Sequence, residues 1–209
     1  MNIASTGSEE HGETIRLNPL SYQILGVIAR SPSSGYDVMK TLHRLRPVKI
    51  SQIYKALSTM EAVHLVASQE VIQHGKPNKR VFELTNAGCE TLNAWIASPT
   101  TPPVLNDSFV SKTFSLWHAP QADRLRLVAE RIGWLKAEIA YFQEMQADLH
   151  ETAAERHLDP DRWEFSRDIL VRRHLALHRE DLLWCQRLHK TLSRHKPTQS
   201  TTTLNEEPS

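Results

Sequence analysis

Two groups of side chains in this sequence have types and spacings suited to chemistry. The first lies in "SQIYKALSTMEAVHLV", residues 51–66. Ser51, Gln52, Lys55, Ser58 and Thr59 fall on one side of a helical period, Tyr54 sits at their edge, and that side carries no acid. Hydroxyl, amide and ammonium groups without a carboxylate suit a partner that offers acceptors and negative charge together. A DNA duplex, with phosphates outside and base edges in its grooves, is such a partner. The second group is "HLALHRED", residues 174–181. His174 and His178 at i and i+4 share one helix face, and Asp181 follows. Three chemistries stay open there: polar groups that fix the register of a helical interface, a pocket where imidazole holds a carboxylate or phenol, or metal ligands. No Cys or Glu ligand cluster accompanies the two histidines, so no metal and no cofactor are expected.

Enzyme chemistry has little to stand on. The chain has no Gly-rich phosphate loop, no HExxH, no GxSxG and no paired-carboxylate constellation. Cys89 and Cys185 lie far apart, match no metal or redox spacing, and fit a reducing cytoplasm as small buried hydrophobes. No apolar run approaches a membrane span, and the acidic, polar start "MNIASTGSEEHGETIR" is not a signal peptide.

Charge is divided along the chain. Arg16 to Ile96 holds ten Lys or Arg against five Asp or Glu, whereas Ala97 to Ser209 holds fifteen against sixteen. Lys40, Arg44, Arg46, Lys49 and Lys55 form an acid-free basic run. Such a local excess beside a polar helix face is the footprint expected for a phosphate backbone.

The elements that would position these groups can be read from caps, breakers and periods. Residues 1–15 and 196–209 are polar and read as disordered, and "ASPTTPPV" places a linker at 97–106. In "NPLSYQILGVIAR", Asn18 caps a helix with Pro19 in its first turn and Leu20, Ile24 and Ile28 as its stripe. Ser34 caps a second helix through Tyr36, Met39, Leu42 and Leu45. Ile50, Ile53, Leu57 and Met60 form the inner stripe of the third. "LVASQEVI" and "RVFELT" are strand-like, joined by the turn formers of "QHGKPNK", and Thr85 caps a last short helix. Three helices followed by a hairpin is the order of a winged helix-turn-helix. Its third helix would enter the major groove, and the hairpin tip bears His74, Lys76, Lys79 and Arg80.

Beyond the linker, residues 107–195 read as helical. Asn106 or Asp107 caps the first helix and Pro120 opens the next. Leu125, Val128, Ile132, Leu135, Ile139, Phe142, Gln146 and Leu149 then follow a coiled-coil-like spacing broken only by Gln146. A further helix begins near Pro160, with Trp163, Leu170, Leu177 and Trp184 at sevens and Val171, Leu175 and Leu182 as a second stripe. A helix with two apolar stripes can pack one on its own chain and the other on a second copy. All five tryptophans lie beyond residue 94, and most are expected in the core.

Three stretches together carry a family resemblance. "LSYQILGVIARSPSSGYDV", "SQIYKALSTMEAVHLV" and "GKPNKRVFELTNAG" resemble the signatures of PadR-type regulators in order and spacing over residues 17–96. The matching pieces are Gly35-Tyr36-Asp37, the Ile-Tyr-x-Ala-Leu of Ile53 to Leu57, and the Leu-Thr-x-x-Gly of Leu84 to Gly88. The chain departs from the family in "KISQ", where relatives often have Ser-Pro-Gly-Thr, and in "NKRVF", where they often have Arg-Lys-Tyr-Tyr. The operator is therefore expected to differ from those of relatives. The resemblance implies a mainly α protein with a small β-hairpin wing: a winged helix-turn-helix DNA-binding domain at 16–96 and a C-terminal antiparallel helical dimerisation and effector domain at 107–195. It implies a cytoplasmic homodimeric repressor on an inverted-repeat operator, released by a small aromatic, phenolic acid-like effector. Tyr36, Lys49, Ser51, Gln52, Tyr54, Lys55, His74, Lys76, Lys79 and Arg80 are then the candidate DNA contacts. Phe114, Trp117, Trp134, His174 and His178 are the candidate effector contacts. A winged helix that serves only protein–protein contacts, or a metal-responsive regulator using His174 and His178, is the alternative.

Overall fold

In the computed structural model, residues 17–43, 47–72, 78–103 and 107–195 are described. They fall into two compact units that meet in sequence at Thr101–Pro102. The expected end segments 1–15 and 196–209, His74, Lys76, Arg44, Leu45, Arg46 and Asn106 lie outside the described residues.

The first unit begins with α1 (Pro19–Arg30), where the Asn18 side chain accepts from the Ser21 N–H at 3.0 Å. A two-residue strand β1 (Ser33–Ser34) leads into α2 (Gly35–His43), and α3 (Ile50–Ala62) follows. Strands β2 (Val66–Val71) and β3 (Lys79–Leu84) pair antiparallel, and α4 (Asn86–Ala97) closes the unit behind a Thr85 cap on the Gly88 N–H. One core joins them: Ile24, Leu25, Val38, Ile53, Leu57, Met60, Val66 and Phe82 are all at or near zero exposure. Each such side chain removed from water contributes about 1.5–3 kcal/mol. Ile50, read as part of the inner stripe, is 40% exposed because the stripe starts one turn later.

The hairpin is in fact the larger part of a three-stranded sheet, order β1-β3-β2, with Ser33 opposite Phe82 and Ser34 opposite Val81. Ser34 does two things at once. It pairs with β3, and its Oγ accepts from the Asp37 N–H at 3.2 Å as the α2 cap.

The second unit contains α5 (Ser108–Thr113), a 3-10 turn at Leu116–His118, the 33-residue α6 (Gln121–Ala153), a second 3-10 turn at Ala154–Leu158, and the 32-residue α7 (Trp163–Arg194). Asp107 caps α5 by accepting from the Phe109 N–H at 2.8 Å. Helices α6 and α7 run antiparallel. Gln121, at the start of α6, donates to the carbonyls of Leu192 and His195 at the far end of α7. Val128, Leu135, Phe142, Met145 and Leu149 of α6 are buried, as are Val171, Leu175 and Cys185 of α7. Gln146, which interrupts the apolar seam, meets the buried carboxylate Asp168, Nε2 to Oδ1 at 3.3 Å. His150 Nε2 lies 2.9 Å from the same oxygen, and Arg172 pairs with Asp168 through Oδ2.

Two expectations need correcting. Cys89 is exposed and only Cys185 is buried, because Cys89 lies on the outer face of α4. The tryptophans are not core residues: Trp95, Trp117, Trp134 and Trp184 are 40, 75, 45 and 39% exposed. For those of the second unit the reason is that a two-helix packing has one enclosed face, and smaller aliphatic side chains and Phe142 occupy it. Among the described residues no helix is long and apolar enough to cross a membrane.

Candidate nucleic-acid interface

The outward face of α3 follows from its inward one. With Ile53, Ala56, Leu57 and Met60 buried, Ser51, Gln52, Tyr54, Lys55, Ser58 and Thr59 must point to solvent, and all of them are exposed. Lys49 and Tyr36 are exposed as well, Tyr36 by 60%. Tyr54 lies over the first residue of α2. A Cβ built on Gly35 would stand 2.7 Å from its Cε1 and 2.9 Å from its Cζ. The Gly-Tyr-acid motif thus leaves room for the Tyr54 ring, and α2 and α3 share one surface carrying both tyrosines.

Gln52 is already engaged. Its Oε1 accepts from the Lys49 N–H at 3.1 Å, satisfying an otherwise unpaired donor at the start of α3. At the other end of α3 the chain turns through His64, at φ 57°. Thr85 Oγ1 donates to the carbonyls of His64 at 2.7 Å and Leu65 at 3.0 Å. Gly88 approaches the same corner so closely that a Cβ would fall 2.1 Å from the Leu65 oxygen. The Leu-Thr-x-x-Gly motif therefore clamps the base of the hairpin to the end of α3.

Two hairpin cations expected at a phosphate backbone have protein partners. Lys79 Nζ is 2.6 Å from Asp37 Oδ2, and Arg80 bonds both carboxylate oxygens of Glu61 at 2.8 and 2.7 Å. The hydrogen bond from Lys79, then that from Ser34, holds the Asp37 carboxyl below its usual range against the effect of burial. Glu61 was not among the residues singled out by sequence; it stands nineteen positions from Arg80. Ser68, between them in the sequence, bonds both.

In the second unit Trp134, His174 and His178 come together. His178 meets Trp134 edge-on at 5.4 Å, and His174 stacks on Phe142 at 4.6 Å with rings 3° apart. Burial, then the neighbouring His178 and Arg173, lowers the pKa of His174 despite Glu138. Burial also lowers that of His178, with Glu138 and Asp181 opposing and Arg131 assisting. Asp181 pairs with Arg131, which also bonds Asp107 at 2.7 Å. Phe114 and Trp117 are 87 and 75% exposed, and Trp117 meets the neighbouring ring of His118 edge-on. Among the described residues no group of three or more His, Cys, Asp or Glu converges as a metal would require.

Helices α1–α3, the small sheet and the surface they present define a winged helix-turn-helix. Residues 24–94 match the transcriptional regulator PadR-like family. The chain is 33% identical over 87 residues to a "Probable transcriptional regulator" of Mycobacterium tuberculosis, covering 40% of this chain and 46% of that one. It is 30% identical over 100 residues to the negative transcriptional regulator PadR of Bacillus subtilis, covering 46% and 55%. The chain thus spans about half the length of these curated relatives. In fold it is similar to the Bacillus subtilis PadR crystallised with operator DNA: TM-score 0.76, 20% identity, 85% of this chain and 99% of that one. The same protein crystallised with p-coumaric acid gives a TM-score of 0.68 at 19% identity, covering 83% and 98%.

Proposed function

We propose that this chain is a sequence-specific DNA-binding repressor of the PadR type, acting in the cytoplasm as a homodimer and released from DNA by a small aromatic acid. The observation that carries the reading is the exposed, acid-free face of α3, flanked by Tyr36 and Lys49 and standing beside the hairpin. In this reading Ser51 and Gln52 meet base edges and Lys55 meets phosphate. Residues 16–96 serve as the DNA-binding domain, 97–106 as linker and 107–195 as the dimerisation and effector domain.

Dimerisation is supported by what α7 leaves uncovered. Its stripe at Leu170, Leu177 and Trp184 is 43, 48 and 39% exposed, while the offset stripe at Val171 and Leu175 is buried against α6. A second copy would cover it, and a two-fold protein implies an inverted-repeat operator. The effector class is supported by the Trp134–His178 and Phe142–His174 contacts and by the p-coumaric acid complex of the Bacillus subtilis relative. The test is selection of bound fragments from genomic DNA, with the salt dependence of binding measured on the winner. A selection that enriches no sequence ends this reading.

A further inference from the structure

The strand that leaves the wing is braced from both sides. Successive strand residues point to opposite faces, so the first two positions of β3 send Lys79 one way and Arg80 the other. On one side Lys79 Nζ meets Asp37 Oδ2 at 2.6 Å, and that oxygen also accepts from Ser34 Oγ at 2.7 Å. The anchor there is the capped first turn of α2. On the other side Arg80 is forked onto Glu61 and donates through Nε to Ser68 Oγ at 2.8 Å. Ser68 donates in turn to Glu61 Oε1 at 2.5 Å, closing a three-residue ring between α3, β2 and β3. The Arg80 guanidinium also lies 5.2 Å from the Phe82 ring centroid, so its position is set by packing as well as charge.

Two acids on a surface that must attract phosphate act against long-range attraction. Their places are informative. Glu61 stands in the last turn of the helix whose opposite end carries Ser51, Gln52 and Lys55, and Asp37 stands in the first turn of the helix that holds Tyr36. We propose that Glu61 and Asp37 are positioning residues for the DNA contact, fixing the angle of the wing to α3 through Arg80 and Lys79, which are internal braces and not phosphate ligands. The proposal rests on the DNA-binding reading above.

The experiment uses the full chain on its selected duplex and on a scrambled one, across a series of salt concentrations. If charge alone mattered, Glu61→Gln would tighten binding to both duplexes. Arg80→Gln would then lower the slope of log affinity against log salt by about 0.9. The brace demands the reverse. Glu61→Gln weakens binding to the selected duplex about fivefold with little change on the scrambled one, and Arg80→Gln lowers the slope by less than about half a unit. The swapped pair Glu61→Arg with Arg80→Glu recovers part of the discrimination. Tighter binding by Glu61→Gln, or a full unit of slope lost in Arg80→Gln, overturns the proposal. A second readout needs no DNA: amide exchange across residues 66–71 and 79–84 quickens in both single variants and stays unchanged across 163–194. Should the wild type bind no duplex, the functional reading fails by itself. The exchange data then decide the brace, and unchanged wing protection overturns it.

Discussion

Gly35 lies directly beneath the ring of Tyr54: a methyl group on its α-carbon would stand 2.7 Å from the ring's Cε1. Gly88 is crowded in a different way, because what a Cβ would strike there is the backbone oxygen of Leu65, at 2.1 Å. The two glycines therefore predict different outcomes. In Gly35→Ala the half-exposed Tyr54 ring can swing outward, and the better helix propensity of Ala offsets part of the cost. Stability should fall by no more than about 1 kcal/mol while the exposed surface shared by α2 and α3 is disturbed. Gly88→Ala forces the α3–β2 corner and α4 apart and should cost about 3 kcal/mol. Urea unfolding measures both. Equal losses would mean that the corner is softer than its packing implies.

Gln52 is expected to read DNA through one atom only. Adenine recognition by a Gln side chain uses its oxygen and its nitrogen together. Here Oε1 is held by the Lys49 N–H at 3.1 Å, which leaves the amide N–H₂ for an acceptor such as guanine O6 or N7. Gln52→Ala should relax preference at one base pair by about 1–3 kcal/mol. It should also lose about 0.5–1 kcal/mol of stability with the cap. Sequence logos selected by the wild type and the variant make the comparison. A strict adenine at the affected position would show that the cap opens on binding.

What was legible in the sequence was whatever repeats or punctuates. Asn18, Ser34, Thr85 and Asp107 cap the helices they were expected to cap, and Ile53, Leu57 and Met60 all reach zero exposure. Strand β1 was not legible because two residues have no period. Glu61 and Arg80 were not, because a charge count does not say which acid meets which base. The sevens of α7 marked two stripes truly, but periodicity does not say which one faces the protein's own chain. Val171 and Leu175 were taken inside, and Leu170, Leu177 and Trp184 were left out. Asp168 was hidden for the opposite reason: an acid among charged neighbours on a long helix reads as solvated.

Asp168 should make the helical unit sensitive to acid. Burial works against its charge, but bonds from His150, Gln146 and Arg172 prevail, so its pKa lies below the usual aspartate range. A carboxylate depressed in the folded state contributes stability that is present above the unfolded pKa of about 3.9 and is lost as pH falls through the folded value. Asp168→Asn removes the negative charge and one of the two acceptor oxygens that Arg172 and His150 share, and should cost about 2–4 kcal/mol at pH 7. Acid titrations followed by circular dichroism should show a smaller loss of stability below pH 4 in the variant than in the wild type. An identical acid profile would remove Asp168 from the account.

The uncovered stripe of α7 gives a test of assembly. Leu177, 48% exposed, stands at its middle. Leu177→Glu places a charge there at little cost to a single folded chain, because Val171 and Leu175 keep the α6 contact. In a dimer built on this stripe it would bury two like charges near the two-fold axis and should weaken association by at least a hundredfold, about 3 kcal/mol. Sedimentation at micromolar concentration separates the outcomes. A variant that remains dimeric would place the interface elsewhere.

The final prediction joins the two histidines to control. A ligand releases a repressor only if it binds the DNA-competent and incompetent arrangements with different affinity. His174 and His178 have lowered pKa values, chiefly because burial disfavours the imidazolium, so at pH 7 both are predominantly neutral. Their surroundings are mixed: Glu138 and Asp181 favour protonation, whereas Arg131 and Arg173 oppose it. Depressed histidines contribute stability that is complete above their unfolded pKa of about 6.5 and declines as pH falls from there to the folded value. An aromatic carboxylate seated against Phe142 and Trp134 would supply the missing negative charge, so binding it should draw a proton onto one imidazole. Affinity for such an acid should therefore rise, by up to about tenfold, as pH falls from 7.5 to 6.5. Benzoate-class acids titrated against tryptophan fluorescence, beside loss of operator binding, give the measurement. His174→Ala should flatten the pH dependence and Trp134→Ala should reduce the quenching. If both variants keep the wild-type response, the effector binds outside this cluster and the two histidines only pack α7 against α6.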